Sequence, residues 1–295
     1  MTPAFYTFYP QAFQDLLSLD FETENSYIGQ GNPGSDILII GKECTKEDEL
    51  FRRNAEIWKT KSPENISNWV ELPTYTPEEY HPRRPFYGQI MLKDNGHNKG
   101  TSVSWKAHQQ FINYLLPENK RVNAREQLNF YEYCFMTDLS CHCMRISSRK
   151  ERDKTEKSIR ERIGAEGCIL THPFYRNFPV VIMAVYHYFD YFNDIPIIQN
   201  FDGGVLNYSY KGIIVSEEIY AQYDEDTKKR MPLYHANNGF KKGEFINVHE
   251  SADGKHLLLH TSHFVDCYRP RSDVWMKELA AIVRPYFHFC GDRIK

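Results

Sequence analysis

Four short apolar runs stand out along the chain: "ILII" at 37–40, "YEYCFMTDLS" at 131–140, "FPVVIMAVY" at 178–186 and "HLLLH" at 256–260. Runs of this length and β-branched content predict strands buried on both faces, as in a parallel sheet. Between them the apolar positions recur every three or four residues. "YPQAFQDLLSLD" (9–20) predicts a helix starting after Pro10, and "TKEDELFRRNAEIWK" (45–59) one capped by Thr45. "SWKAHQQFINYLL" (104–116) places Trp105, His108, Phe111, Ile112 and Leu115 on one helical face. A charged helix is expected from Arg149 to Arg162, ending at Gly164, and "SDVWMKELAAIVRPYF" (272–287) predicts an amphipathic helix capped by Ser272.

Buried strands alternating with helices predict a three-layer α/β/α fold around a central, mostly parallel four-stranded sheet. "GQGNPGSD" (29–36) has the composition of a loop. Residues 196–250 alternate β-like runs with Gly and Asn turns, the pattern of an antiparallel, β-rich insertion. No internal repeat or linker interrupts the pattern, so a single domain over 1–295 is expected. Five prolines between 63 and 85 mark a long irregular excursion, and excursions of that length are often functional.

Composition narrows the function classes. A formal net charge of −3 gives no global attraction to nucleic acid, so such binding would need a local basic face. The longest apolar run, 178–189, is too short to span a bilayer, and "MTPAFYTFYP" lacks the basic start and apolar core of a secretion signal. The expected location is cytoplasmic, without a membrane partner. The seven cysteines are scattered with no Cys-x-x-Cys pair, which supports neither a zinc site nor an iron–sulfur cluster. Cys141-His142-Cys143 has no second pair at ligand spacing, so no metal and no cofactor are expected.

In an open parallel sheet, ligands sit beyond the carboxyl ends of the strands. There the sequence places Lys42 and Glu43 after the first run, Asp138 near the end of the second, and His260, Ser262 and His263 at the end of the last. A carboxylate, a histidine and hydroxyls converging at that edge form a candidate active site. Each also has a plainer role open to it: Glu43 as a helix N-terminal charge, His260 as a hydrogen-bonded turn residue.

Five segments in order give the chain a resemblance to the uracil-DNA glycosylase superfamily, over roughly 29–287. "GNPGSDILIIGKECT" resembles the strand and Gly-led loop carrying the water-activating acid, here Glu43. "RRPFYGQ" (83–89) resembles the segment whose Phe stacks on the extruded base, here Phe86. "FMTDLSC" resembles the strand whose Asn reads the uracil edge, with Asp138 in that place. "NFPVVIMAV" resembles the Pro-led strand of the iron–sulfur branch, whose cluster ligands are missing here. "LLLHTSHF" resembles the His-Pro-Ser motif and its wedge residue, with Thr261 and His263 in place of prolines.

The resemblance implies a monofunctional DNA glycosylase that hydrolyses the N-glycosidic bond of uracil or another altered base. A carboxylate (Glu43) would orient water and offset the oxocarbenium-like sugar, and His260 would donate to the leaving base. Phe86 and Asp138 would hold the base. Ser262 would reach a backbone phosphate and Phe264 would fill the gap left by the flipped nucleotide. Phe86 and Phe264 have core packing as their alternative. "HPRRPF" and "YRPR" flank the proposed cleft, making Arg83, Arg84, Arg269 and Arg271 candidate DNA contacts; the helix 149–162 is either a phosphate contact or a solvated face. An ionised Asp138 cannot donate to uracil O4. That departure keeps a second possibility open, a non-catalytic member of the fold that binds nucleic acid or a nucleotide. A small-molecule hydrolase is a third, weakened by the lack of a Gly-x-Ser-x-Gly nucleophile turn.

Overall fold

A computed structural model describes residues 9–20, 27–43, 53–60, 82–83, 93–94, 97–98, 103–124, 128–142, 149–164, 168–229, 239–266 and 269–288. The protein is built on a mixed seven-stranded sheet. Its strands are β1 (Gln30–Gly31), β2 (Ile37–Glu43), β3 (Cys134–Ser140), β4 (Val180–Met183), β5 (Ser209–Val215), β6 (Phe245–Glu250) and β7 (Leu257–Thr261). Their spatial order is β1-β3-β2-β4-β7-β6-β5.

The four expected strands are the parallel centre, β3-β2-β4-β7. The sheet is wider than the four strands expected, because both edges are extended by antiparallel strands. On one side Gln30–Gly31, within the segment expected to be a loop, pairs with β3. This close approach needs glycine: Gly31 has φ +101, and a Cβ there would lie 2.4 Å from the Cys134 carbonyl oxygen. On the other side β5 and β6 pair antiparallel and β6 joins β7, so these strands of the β-rich 196–250 region continue the main sheet.

Alternation along the central strands explains the two apolar clusters. Ile37, Ile39, Met136, Val180, Ile182, Leu257 and Leu259 point to one face, where they meet α3 (Val103–Leu115) and α5 (Asp273–Val283). Leu38, Ile40, Phe135, Val181, Met183 and Leu258 point to the other. There they meet α1 (Gln11–Leu17), α2 (Asn54–Thr60) and α4 (Arg149–Ile163). Ser272 caps α5 as expected, its Oγ accepting from Trp275 N at 3.2 Å. The buried Glu244 carboxylate accepts from both Ser272 N (2.5 Å) and Ser272 Oγ (2.6 Å), placing negative charge at the helix N-terminus. The expected Thr45 cap lies outside the described residues, and α2 is described from Asn54.

The α4 helix differs from a solvated charged face in one respect. Arg162 is fully buried. Its guanidinium donates to Tyr27 O (2.8 Å), Asp138 O (3.1 Å), Thr137 Oγ1 (3.2 Å) and Cys141 Sγ (3.1 Å). One side chain thus ties α4 to the carboxyl end of β3.

Candidate active site

The parallel strands run in the order second, first, third, fourth by sequence, so the chain's direction of winding reverses between β2 and β4. The crevice at such a reversal, beyond the carboxyl ends, is where ligands bind in open α/β sheets. Register fixes what stands there. Gly41 is opposite Asp138 and Glu43 opposite Ser140, while Ile40, Met183 and His260 are level with one another across β2, β4 and β7.

Two groups of side chains form along this edge. The first is at β2 and β3. Asp138 is the half-buried position in an otherwise buried strand. Its carboxylate lies directly across the Gly41 backbone: a Cβ on Gly41 would come within 2.4 Å of Asp138 Oδ1. Gly41 therefore leaves room for the carboxylate. The backbone of Glu43 continues this edge; its side chain lies outside the described residues.

The second group surrounds Tyr186, two residues past Ala184, where β4 has ended. Tyr186 has φ +50, a left-handed backbone rarely adopted by a bulky residue. Lys42 Nζ lies 5.5 Å from the ring centres of both Tyr186 and Tyr188, and the Arg271 guanidinium 5.7 Å from that of Tyr186. His260 Nε2 is 2.9 Å from the Tyr186 carbonyl oxygen, and Nδ1 is 3.2 Å from Asn247 Nδ2. A carbonyl can only accept, so Nε2 carries the proton and Nδ1 accepts from the Asn247 amide. Burial lowers the pKa of His260 to about 4, against the opposing pull of the Tyr186 carbonyl and Asp190. The imidazole is neutral at pH 7, and both of its nitrogens are engaged.

The other expected site residues are placed as follows. Ser262 is buried and its Oγ has no hydrogen-bond partner. Phe264 is a core side chain, stacked on His108 at 4.4 Å and edge-on to Phe111 and Trp275. Arg83 is buried and paired with Glu132 at 2.8 Å. Arg271 is buried, with Nε donating to His263 O at 2.8 Å. Phe86, Arg84 and the Arg269 side chain lie outside the described residues.

Asp138 and His260 are separated by three strand spacings, about 14 Å, and face opposite sides of the sheet: Asp138 shares the face of Met136, His260 that of Leu258. The backbones of Glu43 and His260 are two spacings apart, about 10 Å across the strands. Tyr186 and Asn247 were not anticipated as partners of His260. The aromatic run "VYHYF" just past a strand's carboxyl end was the available signal for Tyr186; Asn247 comes from an antiparallel neighbour and leaves no local trace.

Among the described residues no helix is long and apolar enough to cross a membrane, and no group of three or more His, Cys, Asp or Glu side chains is arranged to hold a metal ion. Comparison with known protein families, curated proteins and solved structures gave no match.

Proposed function

We propose that the chain is a monofunctional DNA glycosylase of uracil-DNA glycosylase-like, three-layer architecture, acting in the cytoplasm on an altered base. The observation that supports this most is the placing of Gly41-Lys42-Glu43 and Asp138 side by side at the reversal between β2 and β4. In this scheme the base is extruded into the crevice and held by Asp138, with Phe86 stacking on its face. The C1′–N bond breaks, the electron pair leaves with the base, and a water positioned by Glu43 adds to C1′ after losing a proton. The products are the free, reprotonated base and an abasic sugar. His260, on the opposite face of the sheet from Asp138 and bonded to the Tyr186 carbonyl, takes no part in this scheme, contrary to the sequence expectation. Arg84 and Arg269 belong to the DNA-facing side of the scheme; Arg83, Arg271, Ser262 and Phe264, expected there from the sequence, are buried within the protein and take no part in it.

A second reading is favoured by one specific observation. Both nitrogens of His260 are satisfied within the protein, as in a protein of this fold that binds nucleic acid without cleaving it. Oligonucleotides carrying uracil, hypoxanthine, xanthine or oxidised bases, single-stranded and mismatched, separate the two. Alkali-labile abasic product supports the enzyme; tight binding with no product from any substrate supports the second reading.

A further inference from the structure

We propose that the turn at 202–206 and the residue before β5 hold a buried alkali-metal cation, bound by Asp202 Oδ1 and Tyr208 Oη. The turn is shaped around a carboxylate. Asp202, Gly203 and Gly204 are consecutive left-handed residues, at φ +58, +72 and +74. Glycine takes two of these positions without strain, and Asp is among the few side chains that tolerate the third. The path aims backbone N–H groups at the Asp202 side chain. Leu206 N donates to Oδ2 at 2.9 Å, and the amides of Gly204 and Val205 also bond the carboxylate. The other oxygen, Oδ1, is buried without a hydrogen-bond partner, on a residue only 1% exposed.

The surroundings of Oδ1 are also unmatched. Five buried side-chain polar atoms lack a hydrogen bond among the described residues. Three of them, Asp202 Oδ1, Tyr208 Oη and His256 Nδ1, belong to the amino edge of the sheet. Ser209, Glu250 and Leu257 are level across β5, β6 and β7, so Tyr208, Ser251 and His256 make the next row outward. Tyr208 packs on the same apolar cluster as Phe201, with ring centres 6.5 Å apart, and Phe201 directly precedes Asp202.

Charge decides the class of ligand. Burial raises the pKa of the Asp202 carboxyl, against the pull of the turn amides and Arg176. Burial also pushes the Tyr208 hydroxyl up, and the Asp202 and Asp253 charges add to this, so the phenol is a neutral oxygen. Asp253 is occupied by Ser251 Oγ at 2.6 Å and Lys255 N at 3.0 Å. One carboxylate oxygen and one neutral oxygen remain, a hard donor set of single negative charge. It matches Na⁺ or K⁺ in charge, whereas all-protein Ca²⁺ sites gather several oxygen ligands, carboxylates prominent among them. The ion offsets a charge that the fold buries and ties the turn to the antiparallel side of the sheet.

The test unfolds the full chain in urea with NaCl, KCl or choline chloride at equal ionic strength, choline being too large for the site. The midpoint should be higher in one alkali salt than in choline. It should rise by a constant step for each tenfold increase in that ion above its dissociation constant. Asp202→Asn keeps a residue suited to the left-handed turn but removes the charge, and should lose the alkali-specific rise. Tyr208→Phe removes only the hydroxyl and should weaken the dependence on the ion; if Asp202→Asn does not fold, this variant decides alone. Equal wild-type midpoints in all three salts overturn the proposal and leave the two oxygens to buried water. An alkali-specific rise that survives unchanged in the variants also overturns it, by placing the ion elsewhere.

Discussion

Replacing Arg162 with methionine tests the link between α4 and the candidate site. Methionine roughly preserves the buried stem but supplies no donor. The substitution strips the Tyr27 and Asp138 carbonyl oxygens of hydrogen bonds at 2.8 and 3.1 Å, in a place where Arg162 itself is 0% exposed. A buried acceptor left unmatched costs about 1–3 kcal/mol. Some of this is offset because the desolvated cation is removed as well. The net expectation is a loss of about 2–4 kcal/mol, read as a lower midpoint in urea unfolding with an unchanged slope. Arg162→Lys should fall in between, since an ammonium can reach fewer of the four partners. If Arg162→Met unfolds at the wild-type urea concentration, the carbonyls are satisfied some other way. Arg162 would then not be what anchors the end of β3.

Acidification should destabilise the fold. His108, His249, His260 and His263 are each lowered to about 4, chiefly by burial. Between pH 6.5 and 4 the unfolded chain therefore binds more protons than the folded one, so stability is present above that window and lost as pH falls through it; urea midpoints at pH 7 and pH 5 check this, and equal midpoints would contradict it. Gly41→Ala forces a methyl to within 2.4 Å of Asp138 Oδ1, and should cost about 1–3 kcal/mol by overpacking while weakening oligonucleotide binding. Phe264→Ala should cost about 3–5 kcal/mol, because the ring is packed among His108, Phe111 and Trp275; a change under 1 kcal/mol in thermal or urea unfolding would instead suit a mobile wedge. Ser272→Ala should cost about 1–2 kcal/mol through loss of the α5 cap and of one partner of Glu244.

The parallel centre was legible because its strands are buried on both faces, so "ILII", "FMTDL", "VVIM" and "LLLH" carry nearly continuous apolar runs. The edge strands were harder. Gln30–Gly31 is two residues long with a glycine required by a close backbone approach, a composition that also describes a loop. Site positions at strand ends followed from the same runs, which is why Lys42, Asp138 and His260 were legible as residues at the edge. Their partners were not. Arg162 reaches a carbonyl 135 positions away, and the Tyr186 carbonyl meets His260 across 74; neither distance is encoded locally. The same gap explains the arginines. Arg83 and Arg271 look alike in sequence to solvent-facing cations, and only the fold supplies the Glu132 carboxylate and the His263 carbonyl that hold them indoors.

The most direct test of glycosylase function is a single-turnover assay over the base panel, with wild-type protein and the Glu43→Gln variant side by side. The account predicts alkali-labile abasic product from at least one altered base, at a rate reduced by about 10²-fold or more in Glu43→Gln, the scale expected when a group that positions the nucleophile is lost. Product formed equally fast by both proteins would remove Glu43 from the chemistry. No product from any base, with oligonucleotide binding intact, would contradict the enzyme itself.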